Sequence, residues 1–556
     1  MTIMKTIHIK SLFATVLLAT VIVSCKQDVI ILKEPTVVTP PPPKGGKGSA
    51  DFSKYVSIGN SLTAGFQAGA LFTEGQNNSF PLILSKQFSI AQGTTLTFNQ
   101  PDINSVNGYN SSYSDPVHGI ILGRLVLFAK DGVQADAVPT PAGAPGVPAP
   151  YNNADLIGAY TGDKSKLNNF GVPGILLVQC LIPATGGPAV GNPAYNPYYA
   201  RFASNPSTNG TTGSTIIGDA LATQPTFFTF DLGNNDVLGY ASTGGDGSIP
   251  ITDQGSFATY YQNAIGALMT NSSAQGVVST IPYVTTIPFF LTIAYNPIPL
   301  DQATATQLMG ASAFGGYNQV MAGLAGALTA NPGAFGLDAA HAAPIIAEIG
   351  TRYVNYSAGT NNKILIKDET LIDLGPFFDG LLGAGAITSA QRAGLTPYQQ
   401  VRQTTSSDLI PLTAGGILGT TVGGNPLYVN GVTVPLEDKY VLLPSEQTAI
   451  KNAIDGFNTT IKAVAAAFSS RVAVADVNAA FTNFITNQIV ASDGVFVTPN
   501  FTPPTGAFSE DGVHPNSRGY AYMANIFIDA INAKFGATVP HASLADYHGV
   551  GLPLVP

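Results

Sequence analysis

Four short stretches of this 556-residue chain carry residue types that could do chemistry together. Tyr55-Val-Ser-Ile58 is a strand-like run that leads into Gly59-Asn60-Ser61-Leu62-Thr63-Ala64-Gly65. A strand that ends in a tight glycine turn and opens a helix would hold the Ser61 hydroxyl at a fixed point. The helix N-terminus would add backbone N–H groups and a positive dipole end. The same pattern also fits a serine that only caps the helix. Near the other end of the chain, Asp511-Gly512-Val513-His514-Pro515 precedes a helical stretch. That spacing brings a carboxylate within reach of an imidazole on one loop. A carboxylate on one ring nitrogen sets the tautomer and frees the other nitrogen to act as base. An Asp/His turn used only for capping is the plainer alternative. Between these ends, Asn169-Phe-Gly-Val-Pro-Gly174 reads as a turn that could present a backbone N–H. Gly233-Asn234-Asn235-Asp236 follows a strand and could present a side-chain amide. Serine-based ester hydrolysis needs a fixed hydroxyl, a base, an acid to orient that base, and donors for the developing oxyanion.

The elements that must position these residues alternate in type. Strands are expected at 55–58, 226–232, 276–282 and 471–476. Phe257, Tyr260, Tyr261, Ala264, Ile265 and Leu268 recur at helical spacing, which predicts a helix over 255–270. Ile450, Ile454, Phe457, Ile461 and Val464 share one face of a second helix over 444–468, with Ser445 as its expected cap. Tyr520, Ala524, Phe527 and Ile531 mark a last helix over 515–535. Strands alternating with helices imply a parallel sheet covered on both faces, an α/β fold. Residues 75–165 show no sustained period and read as an elaborated loop region. Residues 300–440 read as a second insertion, helical at first and then hairpin-like around Asn430-Gly431. The turn-rich tail over 541–556 is expected on the surface.

In order and setting, the four stretches resemble the sequence blocks of the SGNH or GDSL-type serine hydrolases. That resemblance implies that Ser61 is the nucleophile and offers its own backbone N–H. It implies a second backbone N–H from Gly174 and a side-chain N–H from Asn235, together forming an oxyanion hole. His514 would be the general base and Asp511 its orienter. The implied fold is a three-layer α/β/α sandwich with a parallel, flavodoxin-like sheet. Two departures stand out: Asn60 occupies a position where the family motif usually has Asp, and long segments separate the blocks. The resemblance implies a lipase-like esterase acting on carboxylic esters through an acyl-enzyme. The apolar region from Ile281 to Ile293 could then line an acyl pocket. Alternatively, Tyr109, Tyr113, Tyr151, Tyr195, Tyr198 and Tyr199 could stack on sugars, as in a deacetylase of acetylated glycans. A lipoprotein that keeps the fold only for binding is the reading from another class. No cofactor is expected: no His/Cys/Asp cluster has metal-ligand spacing, and no phosphate loop is present.

The N-terminus reads as an address. Lys5 and Lys10 precede an apolar run over 11–23 that is short for a membrane span. It ends in Ile22-Val23-Ser24-Cys25, which resembles the lipobox of bacterial lipoproteins. The resemblance implies a signal peptide over 1–24, cleavage before Cys25 and acylation of that cysteine. A Pro/Gly-rich tether over 25–50 would then join membrane to enzyme, with the hydrolase domain over 51–540. The implied location is an exported, membrane-anchored lipoprotein, on the outer membrane. A net charge of −9 and the lack of a dense Lys/Arg run argue against a nucleic-acid partner. Charged residues make up only 10% of the chain, against about 25% in an average domain. Cys180 lies in an apolar run and reads as a buried, inert thiol.

Overall fold

The computed structural model describes residues 45–491 and 493–556, so the expected leader, Cys25 and most of the tether lie outside the described residues. Five strands form one sheet: β1 (Tyr55–Gly59), β2 (Asn169–Gly171), β3 (Phe227–Asp231), β4 (Gln275–Ser279) and β5 (Val472–Ala475). Their order is β5-β4-β3-β1-β2, and every pairing is parallel. The helices around it are α1 (Ser61–Ala64), α2 (Phe80–Gln92), α3 (Asn235–Ser242), α4 (Gln254–Asn271), α5 (Pro444–Ala467) and α6 (Ser517–Phe535).

Near-continuous apolar strands such as Phe227-Phe-Thr-Phe belong to sheets covered on both faces. Alternation sorts their side chains. Phe227 meets Phe88 of α2 and Phe535 of α6, with ring centroids 5.7 and 5.6 Å away. Phe230 points the other way and meets Tyr261 of α4 at 5.5 Å. Each layer is then locked by aromatic pairs. Phe80 stacks on Phe527 at 4.9 Å between α2 and α6, and Phe257 stacks on Phe457 at 3.9 Å between α4 and α5. Truncating a buried ring of this kind to alanine costs about 3–5 kcal/mol. The architecture is therefore α/β, a five-stranded parallel sheet flanked by helices and compatible with three layers.

Several sequence expectations change. Asn169 to Gly171 is not a turn but the edge strand β2, paired Ser57↔Asn169 and Gly59↔Gly171. Three residues are too few to show a period. The loop region over 75–165 contains α2, whose buried Phe80, Ile83, Leu84, Phe88 and Ala91 have helical spacing. Ser79 caps it by accepting from Leu82 N at 3.4 Å. Its polar, glycine-rich surroundings mask that signal. Ser445 is not a cap; it sits inside the first turn of α5, where Glu446 Oε2 accepts from Leu443 N at 2.6 Å. Residues 45–50 belong to the fold, not the tether: Ser49 N donates to Phe535 O at 2.9 Å and Ala50 is buried. The C-terminal tail is tied in as well. Leu544 is buried, and Leu554 exchanges backbone hydrogen bonds with Leu127 and Ala129 at 2.8 and 2.9 Å. Cys180 is fully buried, and burial pushes its thiol far up.

The second insertion has a core of its own. Met321, Leu324 and Leu328 from helix Phe314–Ala330 pack with Ile349, Ile364 and Phe378, among others between Ile298 and Leu443. Its hairpin pairs Thr421–Val422 with Asn425–Val429 and turns at Gly423-Gly424, so Asn430-Gly431 follows the hairpin instead of closing it. Among the described residues no helix is long and apolar enough to cross a membrane.

Candidate active site

Strand register brings the separated stretches to one level. Gly59 of β1 pairs with Gly171 of β2 and with Asp231 of β3. Ser61, Gly174 and Asn235 follow those positions by two, three and four residues, so all three leave adjacent strands at the carboxyl edge of the sheet. Open α/β sheets place ligands at that edge. Gly59 is required by a close approach, because a Cβ there would lie 2.0 Å from Thr63 Oγ1. The helix after it is a single turn, so a helix dipole contributes little at Ser61. Asn60, not Ser61, is its cap: Asn60 Oδ1 accepts from Leu62 N at 2.9 Å. The Ser61 hydroxyl is thereby free for another partner.

That partner comes from the far end of the chain. His514 Nε2 lies 2.9 Å from Ser61 Oγ, and His514 Nδ1 lies 2.8 Å from Asp511 Oδ2. Asp511 is held in turn. Its Oδ1 accepts from the backbone N–H groups of Val513 and His514, each at 2.8 Å, and Oδ2 accepts from Gly69 N at 2.7 Å. Burial pushes this carboxyl up, but the charge of His514 and these hydrogen bonds outweigh it. The net effect holds Asp511 below its ordinary value of 3.8. Phe66 lies against the imidazole, ring centroids 4.8 Å apart. Phe289 N donates to Gly512 O at 2.9 Å and pins the loop from the other side. Pro515 precedes α6, and Asn516 caps that helix by accepting from Gly519 N at 3.0 Å.

Gly174 and Asn235 are tied to each other. Asn235 Nδ2 donates to Ile175 O at 2.9 Å, which fixes the amide beside the Gly174 loop. Gly174 has φ +76, a left-handed conformation suited to glycine, and a Cβ there would meet open space. Among the described residues, neither Ser61 N–H nor Gly174 N–H donates to a protein acceptor. Both N–H groups thus remain available to an incoming oxygen.

Sequence reasoning missed several supports. Asp236 ties the two loops together, accepting from Leu177 N at 2.9 Å and from Thr252 Oγ1 at 2.8 Å. Burial pushes its carboxyl up to about 6. Asn169 Nδ2 donates to Thr63 O at 2.9 Å and so braces the Ser61 turn from β2. Ser509 Oγ accepts from Ala68 N at 2.8 Å and ties the 66–69 segment to the Asp511 loop. Asp236 belongs to the Gly233–Asp236 stretch, but nothing in the linear sequence points to Gly69 or Ser509.

Close to the site is a small apolar slot of about 90 Å³, walled by Leu62, Pro282, Ile287, Phe481 and Val513. Two of these come from the apolar 281–293 region. Of the tyrosines considered for sugar stacking, Tyr198 packs edge-on against Phe66, ring centroids 6.3 Å apart. Tyr199 is buried and donates to Asp219 at 2.9 Å, while Tyr151 lies over Arg124. Carboxyl oxygens of Glu369, Asp438 and Glu446 lie within 4.8 Å of one another, a cluster that linear spacing did not show. Burial, with the neighbouring acids, pushes Asp438 up to about 7 and Glu446 up to about 8. No protein-family model matches the chain, and comparison with curated proteins and with solved structures finds no match.

Proposed function

We propose that this chain is a serine esterase of the SGNH type, acting on carboxylic esters through an acyl-enzyme. The observation that carries the reading is the continuous hydrogen-bonded series Ser61–His514–Asp511, with contacts of 2.9 and 2.8 Å. Ser61 Oγ attacks the ester carbonyl while His514 Nε2 accepts its proton. Asp511 holds the ring through Nδ1 and stabilises the imidazolium. The N–H groups of Ser61 and Gly174 and the amide of Asn235 receive the oxyanion. His514 then returns the proton to the leaving alcohol, and water activated by the same base releases the acid. The sandwich fold of that family agrees with the parallel sheet and its helices.

The apolar slot beside Leu62 and Val513 supports a hydrocarbon acyl group on the ester. The proposal extends to the N-terminus: an exported lipoprotein acylated at Cys25 and held at a membrane. Mass spectrometry of the N-terminal peptide tests that part, and an unmodified Cys25 in the exported protein overturns it.

For the chemistry, p-nitrophenyl butyrate is assayed with the full chain and with Ser61→Ala. A loss of about 10⁴–10⁶-fold in kcat is expected. Unchanged turnover in Ser61→Ala removes the nucleophile assignment. Absence of a Ser61 adduct with a fluorophosphonate in the folded protein favours a non-catalytic binder instead.

A further inference from the structure

The segment from Phe66 to Gly69 touches every member of the proposed catalytic series without belonging to it. Phe66 N donates to Ser61 O at 3.0 Å, which ties the segment to the nucleophile's own backbone. The Phe66 ring meets the His514 imidazole, centroids 4.8 Å apart. Gly69 N donates to Asp511 Oδ2 at 2.7 Å. Ala68 N donates to Ser509 Oγ at 2.8 Å, and Ser509 Oγ lies 3.2 Å from Asp511 Oδ1. One short segment therefore holds nucleophile, base and orienting acid at once.

The backbone is strained in order to do so. Ala68 has φ +49, a left-handed conformation that a residue with a Cβ disfavours. A strained residue persists only where its surroundings over-determine it, and such residues gather at functional sites. Here the surroundings are specific. Gln67 and Ala70 exchange backbone hydrogen bonds at 3.1 and 3.0 Å, closing a tight loop around Ala68 and Gly69. The buried Ala68 accepts through its carbonyl from Leu125 N at 2.7 Å. Tyr520 of α6, fully buried, donates its hydroxyl to Phe66 O at 2.6 Å. The loop thus aims two successive N–H groups at the Asp511 loop while its carbonyls are taken up on the other side. Oriented backbone N–H groups act as fixed partial positive charges, suited to a carboxylate.

We propose that Phe66–Gly69 is a positioning segment that sets Ser61, His514 and Asp511 as one unit, with Tyr520 as its fastener. None of its residues reacts. Tyr520 acts through Phe66, and Phe66 acts through the place it gives His514 relative to Ser61 Oγ. An error of about 1 Å in such placement costs about 10²-fold in rate. This role rests on the hydrolase reading; the contacts themselves do not. Tyr55 supplies a contrast. It is also buried, and its hydroxyl lies 2.9 Å from Thr229 Oγ1, but it opens β1 at the end of the sheet opposite the site. Replacement by Phe removes one buried hydrogen bond at either tyrosine, so a difference in turnover between the two measures placement and not stability.

The test measures turnover of p-nitrophenyl butyrate by the full chain, with active sites counted from the end point of fluorophosphonate labelling. Tyr520→Phe should lower kcat per labelled site about tenfold with KM within about twofold, whereas Tyr55→Phe keeps the wild-type kcat. Both should lower the thermal midpoint. Phe66→Leu leaves the backbone hydrogen bonds of the segment in place and should also lower kcat per labelled site about tenfold. It carries the test alone if Tyr520→Phe loses its thermal transition. Wild-type kcat per labelled site in either variant that keeps its transition overturns the proposal. So does an equal loss of kcat in Tyr55→Phe, a change confined to KM, or a loss confined to the number of labelled sites, which would make the role structural. Where wild type labels and turns over but the variants match it, only this inference falls. Where wild type does neither, the hydrolase reading falls and takes the inference with it.

Discussion

The chain contains three Asp-x-x-His turns, and two of them match closely as local objects: beside the exposed Asp115-Pro-Val-His118 stand Asp338-Ala-Ala-His341 in the insertion and Asp511-Gly-Val-His514 beside the sheet. In each, the aspartate accepts the histidine backbone N–H at 2.8 Å. In each, the carboxylate meets ring Nδ1, at 2.7 and 2.8 Å. The surroundings differ. The His341 and Asp338 side chains are 76% and 65% exposed, whereas those of His514 and Asp511 are 14% and 11% exposed. Asp338 caps helix Ala339–Ile349, the plain structural role such a turn can have. Asp511 instead receives Gly69 N, and His514 faces Ser61 across the fold. Water screens the exposed pair and makes it weak. The shielded pair is pre-set by its neighbours. Three-residue spacing makes an Asp/His pair; only long-range packing makes it a candidate base.

Mutations at the two turns sharpen that contrast. His514→Ala is expected to lower kcat on p-nitrophenyl butyrate by about 10⁶-fold, while His341→Ala leaves it unchanged. Equal effects of the two would dissolve the distinction. Next in size, Asp511→Asn should cost about 10⁴-fold in kcat, through loss of the correct ring tautomer. It should also change acid sensitivity. Because the folded carboxyl of Asp511 is held below 3.8, its stabilisation is complete above that pH. It is lost as pH falls through the lower folded value. Thermal scans from pH 6 to pH 2 should therefore fall more steeply for wild type than for the variant. Asn235→Ala removes one oxyanion donor and should cost about 10²–10³-fold in kcat with KM nearly constant; a pure KM effect would assign the amide to substrate binding. The smallest effect is on the exposed turn. Asp338→Ala should lower stability by about 1 kcal/mol in denaturant titrations and leave turnover untouched.

What could be read from the sequence follows from the same contrast. Four of the five sheet strands and the helices α4, α5 and α6 carry long apolar patterns and show themselves. Edge strand β2 has only three residues, and it is recognised only because β1 holds it in register. Ser61, Asp511 and His514 were legible as residue types in motifs, but not as neighbours. Their meeting depends on β1, on α6 and on the loop between them. Asn60 shows a further limit. Its capping role frees the Ser61 hydroxyl, and no linear pattern decides which of two adjacent polar residues takes the cap. Asp236 and Gly69 act through atoms that any sequence could offer, a carboxylate and a backbone N–H. Their importance is purely spatial.

The hydrogen bond between Ser61 and His514 joins residues 453 positions apart, and Tyr520 reaches back to Phe66 O at 2.6 Å over a similar span. Synthesis delivers a chain from its N-terminus, and domains close as their parts arrive. On the proposed reading, a growing chain carries its nucleophile 453 residues before its base. Ester cleavage is therefore withheld until Asp511 and His514 have been made and packed, and any fragment stopped before Asp511 is chemically silent. The separation of these two residues acts as a clock that no inhibitor has to set.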